Sequence, residues 1–340
     1  MRTDMNDLPP EHPRRALFDA DDTAAMLPVC DHYAGVEPRM RKALELQQQR
    51  GPVFDVTLDC EDGAPVGGEA EHALLVAELV MSQANAYGRV GARVHAVDHP
   101  AFLHDVETLV ARAGSRLAYL MVPKLRDVGD LRHACGIVDH FIRVTPSSRH
   151  FPIHVLVETH GALRDVHAIA AHPRVESVSF GLMDFVSAHR GALPASAMSA
   201  EGQFAHPLVL RAKMEIAAAC HAYGKVPSHC VVTEFNDKRA LSRAAERACR
   251  ELGYTRMWSI HPNQIEPIVA AFAPTTAELD LAVDIVRAGQ AAAWAPIRHR
   301  DTLHDRASYR YFWQVLERAH RTGQPLPGDV REQYFARPAV

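Results

Sequence analysis

The sequence lacks several features that would assign a protein at once to a common functional class. No two of its six cysteines form a CxxC pair, which argues against a zinc ribbon or a thioredoxin-like redox motif. No GxGxxG or GxxxxGK[ST] motif follows a candidate strand, so a nucleotide-binding loop is not indicated. No stretch reaches the roughly 20 apolar residues that cross a bilayer. Lys and Arg are spread along the chain rather than gathered into a nucleic-acid-binding block.

The length and composition are typical of a large globular protein. Its 340 residues are 47% hydrophobic and carry a net charge of -4, which is ample for an α/β barrel of about 250 residues. Scattered cysteines fit a reducing compartment, and residues 1–22 lack the apolar segment of a secretory signal. We therefore expect a cytoplasmic protein with neither a membrane nor a nucleic acid as partner. Most of the 21 histidines, including His95 and His99, are interpreted as surface or core residues.

Short apolar runs alternate with amphipathic stretches along the chain. Candidate strands are 26–30, 53–59, 92–97, 117–122, 154–158, 177–182, 230–233 and 257–260. Candidate helices are 38–50, 69–87, 101–113, 128–142, 162–171, 207–223, 236–252 and one from about 276, preceded by a Thr275/Glu278 capping box. This alternation predicts an α/β fold with a parallel sheet, either open and doubly wound or closed as a (β/α)8 TIM barrel. Eight strands and the missing nucleotide motif favour the barrel.

Three segments are predicted along the chain. They are an N-terminal segment, 1–23, a (β/α)8 catalytic barrel, 24–295, and a C-terminal helical extension, 296–340. Within the extension, 296–305 is predicted as a loop, 307–320 as a helix rich in aromatic residues, and the remainder as a tail. The aromatic helix is interpreted either as an oligomer contact or as a helix that packs on its own barrel.

Two carboxylates stand at the ends of successive candidate strands. Glu158 ends the run 154–158 and Asp184 follows the run 177–182. A buried carboxylate is costly unless a cation meets it, and the carboxyl ends of barrel strands form the active-site face. Mg2+ commonly takes one or two carboxylates and completes its shell with water and substrate. The pair therefore predicts a site for Mg2+, with Mn2+ as a possible substitute.

Other ionisable residues follow the same candidate strands. Glu61 and Asp62 follow the second strand, Lys124 the fourth and His261 the eighth, while Arg93 lies in the third. Arg93 offers a rigid fork for a substrate carboxylate, and Glu61 and Asp62 are suited to hold water around a metal.

Each of these residues also has a purely structural interpretation. Glu158 and Asp184 could cap helices near residues 162 and 186, and Arg93 could form an ion pair with Glu61 or Asp62. Lys124 could be a solvated turn residue, and His261 a satisfied strand-end histidine. The structural interpretations weaken when all of these residues must lie on one face of one barrel.

Six ordered segments of the chain resemble the HpcH/HpaI aldolase and citrate lyase superfamily, and within it the CitE-like branch of citrate lyase β subunits and malyl-CoA or citramalyl-CoA lyases. The resemblance covers roughly residues 26–290, and its matching segments are 58–64, 93–96, 122–124, 157–159, 180–184 and 260–264.

The resemblance implies a (β/α)8 barrel that uses Mg2+, with Glu158 and Asp184 as metal ligands. It further implies that Arg93 grips a 2-oxo acid and that Glu61 and Asp62 order the metal's waters. Such enzymes make or break a carbon–carbon bond between an acyl-CoA and a 2-oxo acid. Lys124 and His261 are further candidates for substrate binding.

In the lyase branch a C-terminal segment delivers an aspartate to a neighbouring subunit of a homo-oligomer. Asp305 occupies the corresponding place here and is the candidate acid.

The chain also departs from the family pattern. The arginine usual near the first strand is absent from 24–31, and Arg256-Met257-Trp258 replaces the usual Gly-Lys before the last strand. The missing arginine leaves open whether CoA is used. A class II 2-oxo-acid aldolase without CoA is therefore an alternative, and a degenerate barrel that acts as an interaction subunit is a non-enzymatic one.

Overall fold

Eight parallel strands close into a barrel in the order of the chain. The computed structural model describes residues 12–19 and 26–335. The last strand pairs with the first, which completes the ring predicted from the sequence. The barrel strands are β1 Cys30–Ala34, β2 Phe54–Asp59, β3 Val90–Arg93, β4 Leu120–Val122, β5 Ile153–Val157, β6 Val175–Phe180, β7 Val226–His229 and β8 Arg256–Ser259.

The helices between the strands cover the outside of the barrel, and further helices precede and follow the strands in the chain. The α-helices are α1 Pro13–Leu17, α2 Glu37–Arg50, α3 Glu69–Met81, α4 Phe102–Ala113, α5 Val128–Val144, α6 His160–Arg164, α7 Val166–Ala170, α8 Leu182–Ser187, α9 Pro207–Ala222, α10 Lys238–Arg250, α11 Pro262–Phe272, α12 Thr276–Ala291, α13 Arg306–Arg321 and α14 Gly328–Phe335. The capping box that the sequence places before α12 is present, because Thr275 accepts from the Glu278 N–H and Glu278 accepts from the Thr275 N–H.

Polar side chains fill much of the barrel interior. Near the N-terminal ends of the strands, the fully buried Arg256 contacts Asp31 at 3.0 Å and Asp55 at 2.5 Å. Asp31 also accepts from the Thr57 hydroxyl at 2.7 Å. Because successive strand residues point to opposite faces, these side chains share the inner face of β1, β2 and β8. This ionic layer closes the barrel at the end opposite to the carboxyl ends of the strands.

The prediction of the first and seventh strands was wrong in position. Strand β1 begins at Cys30 instead of ending there, since its polar residues Asp31 and His32 are buried and bonded within the barrel wall. Strand β7 is Val226–His229 rather than 230–233. Pro227 lacks an N–H donor and argued against a strand, yet it pairs in register with Val178 of β6.

The C-terminal helices form a compact unit of their own. Among the described residues, 26–271 form one compact unit and 12–19 with 272–335 form another, which contains α12. Within that second unit, Tyr309 and Trp313 of α13 are buried among apolar residues of α12 and α14. The predicted loop at 296–305 instead contains a two-stranded antiparallel sheet, β9 Ile297–His299 with β10 Thr302–His304. The predicted tail contains α14.

Disulfide bonds and membrane-spanning helices are both absent from the described residues. None of the described cysteines forms a disulfide bond. Across residues 12–19 and 26–335, no helix combines the length and the apolar character needed to cross a bilayer.

Buried histidines are expected to make the folded chain sensitive to mild acid. Burial lowers the pKa of His32 to about 4, and its Nδ1 lies 3.0 Å from the Ser259 hydroxyl. The unfolded chain therefore binds a proton below about pH 6.5 that the folded chain excludes, and stability falls with pH down to about 4. For His32 alone this amounts to roughly 3 kcal/mol over that interval. Urea unfolding between about pH 7 and pH 5 should show a shallower decline for His32→Asn than for the exposed-site control His133→Asn. Parallel declines in the two variants would contradict this expectation.

Candidate active site

Charged side chains from four neighbouring strands meet at the carboxyl end of the barrel. Asp59 and Arg93 are the last residues of β2 and β3 and are register partners. Lys124 lies two residues beyond β4, and Glu158 directly follows β5. Since β2 to β5 are adjacent in the ring, the barrel brings residues 99 positions apart in sequence into one cluster.

Arg93 is held rigidly by two carboxylates. Its Nε and Nη2 atoms donate to the two oxygens of Asp59 at 2.7 and 2.5 Å, and its Nη1 lies 2.9 Å from Glu61 Oε2. Asp59 is in turn fixed by the backbone N–H groups of Glu61 and Gly63. The ion pair between Arg93 and Glu61 that the sequence suggested as a structural alternative is therefore present. Asp59 accepts from two of the five guanidinium N–H donors, and the ion pair with Glu61 faces a third. Two donors are left for a ligand.

Lys124 links the carboxylates of strand two to Glu158. Its Nζ lies 2.5 Å from Glu61 Oε1 and 2.7 Å from Asp62 Oδ2, while its backbone N–H donates to Glu158 Oε1 at 2.6 Å. The residue has a φ of 50°, a conformation that is costly for a non-glycine residue. Burial would lower the pKa of Lys124, but the hydrogen bonds to Asp62 and Glu61 outweigh it and raise the pKa. A charged lysine is therefore fixed at the rim.

Glu158 is a buried carboxylate that lacks a compensating side-chain cation at hydrogen-bond distance among the described residues. Only 2% of its surface is exposed, and burial together with the charge of Asp184 raises its pKa well above the usual value. Its Oε2 atom lies directly above Gly181, where a Cβ would come within 2.4 Å of it. Two neighbouring carboxylates, one of them desolvated, form an oxygen site that a hard cation would stabilise.

The capping interpretations of these two carboxylates were wrong. The N-cap of α6 is Thr159, whose hydroxyl accepts from the Ala162 N–H. Asp184 lies inside α8, whose N-cap is Gly181 and has no side-chain capping bond. Both carboxylates are thus available to a ligand.

The donor set fits Mg2+ better than a transition metal. No group of three or more His, Cys, Asp and Glu side chains suited to a metal exists within residues 12–19 and 26–335. Zinc sites usually draw three or four ligands from the protein. Mg2+ instead keeps several waters and binds one or two carboxylates plus substrate, which matches the Glu158 and Asp184 pair.

An aromatic layer lies beneath the cluster inside the barrel. Tyr33 and Trp258 stack with ring centroids 4.2 Å apart, and the Arg93 guanidinium lies over the Tyr33 ring at 5.5 Å. The Trp258 indole N–H donates to the Ser179 hydroxyl at 3.0 Å. Trp258 therefore fills the barrel interior between the ionic layer and the charged rim.

A cavity of about 470 Å³ opens beside the charged cluster. Its walls include the cluster residues Glu61, Asp62 and Lys124. The rest of the lining consists of Ala64, Pro65, Val66, Glu69, His95, Ala96, Asp98, His99 and Pro100. The cavity has the size of a small-molecule site and is acidic on most of its charged wall.

Two other residues selected from the sequence make local structural contacts. His261 stacks on Phe235 at 5.4 Å, and its Nδ1 accepts from the Asn263 N–H, as expected for a satisfied strand-end histidine. Asp305 is the N-cap of α13 and accepts from the N–H groups of Ala307 and Ser308.

Asp59 was not among the site residues predicted from the sequence, although it orients Arg93 through two hydrogen bonds. A signal was available, because Asp59 and Glu61 are two positions apart and so face the same side of an extended chain. His95 was also not among the predicted site residues. It lies two positions beyond Arg93 and lines the cavity.

A family model and a known relative each match more than half of this chain. A sequence model described as HpcH/HpaI aldolase/citrate lyase matches residues 52–262. An L-malyl-CoA/β-methylmalyl-CoA lyase from Cereibacter sphaeroides is 27% identical over 265 residues, which span 75% of this chain and 83% of the relative.

Solved structures extend the comparison to the fold. A citrate lyase from Burkholderia xenovorans LB400 is 54% identical, with a TM-score of 0.83 over 95% of this chain and 99% of that one. The protein CitE from Mycobacterium tuberculosis, crystallised with magnesium, acetoacetate and coenzyme A, has a TM-score of 0.66 at 18% identity, over 88% of this chain and 100% of that one. The second likeness shows a shared fold.

Proposed function

The chain belongs to the HpcH/HpaI aldolase/citrate lyase family, and we propose that it is a Mg2+-dependent carbon–carbon lyase. Its substrate would be a 3-hydroxyacyl-CoA of the malyl, citramalyl or citryl type, cleaved into or formed from an acyl-CoA and a 2-oxo acid. The observation that carries the proposal is the buried Glu158 beside Asp184, next to the fixed Arg93. The likeness to an L-malyl-CoA/β-methylmalyl-CoA lyase supports the thioester class.

Glu158 and Asp184 are the residues that would hold the metal. When bound, Mg2+ supplies Lewis-acid stabilisation of the oxyanion charge that develops on the substrate. Glu61 and Asp62 already bind Lys124, so they would hold metal-bound waters through their remaining acceptor positions.

Arg93 would bind the carboxylate of the 2-oxo acid fragment through its two remaining N–H donors. Asp59 prevents rotation of the guanidinium, because it occupies the Nε edge with a bidentate pair. A preorganised fork of this kind lowers the entropy cost of orienting the substrate. Lys124 contributes positive charge at the same rim and fixes Glu158 through its backbone N–H.

The substitution Gly181→Ala is expected to lower Mg2+ affinity by about 10- to 100-fold, as changes around metal ligands commonly do. The new Cβ would lie 2.4 Å from Glu158 Oε2 and 2.6 Å from its Cβ, which forces the carboxylate away. Calorimetric titration with Mg2+ measures the effect. Gly136→Ala is the matched control, because nothing lies within 4 Å of its new Cβ in α5. Equal affinities in the two variants would show that Glu158 is not a ligand.

A CoA-free 2-oxo-acid aldolase is the second candidate, and the charge of the cavity favours it. Four of the cavity's lining residues are carboxylates, namely Glu61, Asp62, Glu69 and Asp98, against the single cationic side chain of Lys124. Phosphate groups would be repelled by this wall, so a CoA thioester would need to place its phosphates elsewhere.

One set of assays separates the two candidates. The purified protein is incubated with Mg2+ and L-malyl-CoA, and 2-oxo acid release is followed as a hydrazone. In parallel, deuterium exchange at the methyl group of pyruvate is followed by NMR without any CoA ester. Thioester cleavage supports the lyase, and exchange alone supports the aldolase. Inactivity in both assays, or activity that survives removal of Mg2+ by a chelator, would overturn the proposal.

The proposal includes a homo-oligomer in which Asp305 of one subunit acts at the site of another, as the alternative to an acid within the same chain. Light scattering after size-exclusion chromatography tests the assembly. Mixing inactive Asp305→Asn with inactive Glu158→Gln protein should restore part of the activity if the sites are shared.

A further inference from the structure

A histidine and an aspartate form a close pair at the wall of the cavity. His95 Nδ1 lies 2.6 Å from Asp105 Oδ2, and the same oxygen accepts from the His95 backbone N–H at 3.0 Å. Asp105 is fully buried in α4. Burial raises the pKa of Asp105, but when this carboxylate is ionised it can only accept. Nδ1 then carries the proton, and Nε2 is left as the basic nitrogen. This arrangement orients an imidazole for proton transfer.

His95 lies at the cavity wall beside residues of the charged cluster. Arg93 ends β3, and side chains two positions apart lie on the same side of an extended chain. His95 lines the cavity together with Glu61 and Lys124, and the Lys124 backbone N–H is bonded to Glu158. Nine per cent of His95 is exposed, so the ring is shielded from bulk water while it remains accessible from the cavity.

Several charged and titratable groups surround this imidazole. Asp105 of α4 contacts Nδ1 of the ring, and His99 stacks on the ring with centroids 4.2 Å apart. Glu69 of α3 and Asp98 lie on the same cavity wall, as do Glu61, Asp62 and Lys124. Carboxylates outnumber the one lysine on this cavity wall.

We propose that His95 is the proton carrier of the reaction, a catalytic residue that exchanges a proton with the acyl fragment, and that Asp105 is the residue that positions it. The inference rests on the proposed lyase function and assigns its acid–base step. It places that step within one chain, so restored activity on mixing Asp305→Asn with Glu158→Gln protein, which would assign the acid to Asp305 of a neighbouring subunit, would overturn it.

One proton is carried through the step by His95. In cleavage, neutral His95 takes the proton of the substrate hydroxyl at Nε2, the carbon–carbon bond breaks, and its electron pair becomes the enolate of the thioester. The protonated His95 then gives this proton to the enolate carbon and becomes neutral again. In synthesis, neutral His95 removes a proton from the acyl-CoA, the enolate attacks the carbonyl carbon of the 2-oxo acid, and the protonated His95 returns the proton to the resulting alkoxide.

Kinetics of His95→Asn test the catalytic role. General acid–base catalysis contributes about 10²- to 10⁴-fold, so kcat for L-malyl-CoA cleavage should fall by that factor while KM changes little. The kcat–pH profile should also lose one ionisation, which a merely structural residue would not affect. Asp105→Asn should lower kcat by at least about 10²-fold, because an amide can hold the imidazole in the wrong tautomer. The control His133→Asn changes an exposed histidine of α5.

A spectroscopic readout tests the pair without substrate. The proton between His95 and Asp105 should give a low-field NMR resonance in the wild-type protein and in His133→Asn, and this resonance should be missing in His95→Asn and Asp105→Asn. A kcat for His95→Asn within threefold of wild type, with an unchanged pH profile, overturns the role of His95 and leaves the lyase function standing. Inactivity of wild type and His133→Asn alike overturns the function, and the inference with it.

Discussion

Replacing Glu158 by glutamine is expected to lower kcat/KM for Mg2+-dependent cleavage by at least about 10³-fold. Stabilisation of oxyanion charge by a metal is worth several kcal/mol, and about 4 kcal/mol corresponds to that factor. Glutamine keeps the size of the side chain and can still accept the Lys124 N–H at Oε1. The loss would therefore reflect the missing charge at the metal site. Steady-state kinetics over a range of Mg2+ concentrations, together with Mg2+ calorimetry, measures it.

The same substitution is expected to stabilise the metal-free protein. Burial and the charge of Asp184 both disfavour ionised Glu158, so a neutral amide removes an unfavourable interaction in the folded state. Functional sites often carry such a cost in stability. Glu45→Gln is the control, because Glu45 is an exposed residue of α2 that pairs with Lys42. A Glu158→Gln protein with unchanged Mg2+ affinity and full activity would contradict both the metal assignment and the proposed function.

The barrel could be predicted from sequence because its signal is repeated eight times. Each apolar run is short, but strict alternation with amphipathic helices leaves few folds that bury both faces of the sheet. The predicted strand bounds were wrong where a strand contains buried polar residues, as β1 does with Asp31 and His32, or a proline, as β7 does with Pro227. In both cases the partners that make these residues acceptable lie on distant strands.

The rim of the site was predictable for a related reason. In a barrel the end of every strand reaches the same face, so strand-end residues can be grouped without knowing any distances. The contacts within the group could not be predicted. The chain does not reveal that Arg93 pairs with Asp59 as well as with Glu61. Nor does it reveal that His95 meets Asp105 from the following helix, because side-chain pairing depends on rotamers and register.

Replacing Arg256 by methionine is expected to lower the free energy of unfolding by about 3–5 kcal/mol, the usual cost of removing one partner from a buried ion pair. Arg256 is fully buried and contacts Asp31 at 3.0 Å, Asp55 at 2.5 Å and the Pro28 carbonyl at 2.9 Å. Arg89 also pairs with Asp55, so Asp31 is the carboxylate that loses its cation. Urea unfolding measures the effect, and Arg298→Met is the control, since its exposed pair with Asp301 should matter little.

A second substitution separates the electrostatic cause from loss of packing. If the cost arises from the uncompensated charge of Asp31, then Arg256→Met combined with Asp31→Asn should be more stable than Arg256→Met alone, because neighbouring sites in one network are not additive. A double variant that loses the sum of both single effects would instead indicate a packing defect. The kcat of the folded fraction should remain close to wild type in either variant, since the ionic layer lies at the N-terminal end of the strands and the charged rim at the other. A barrel can divide stability and chemistry between its two ends in this way, and a large fall in kcat for folded Arg256→Met would show that the two ends of this barrel are coupled.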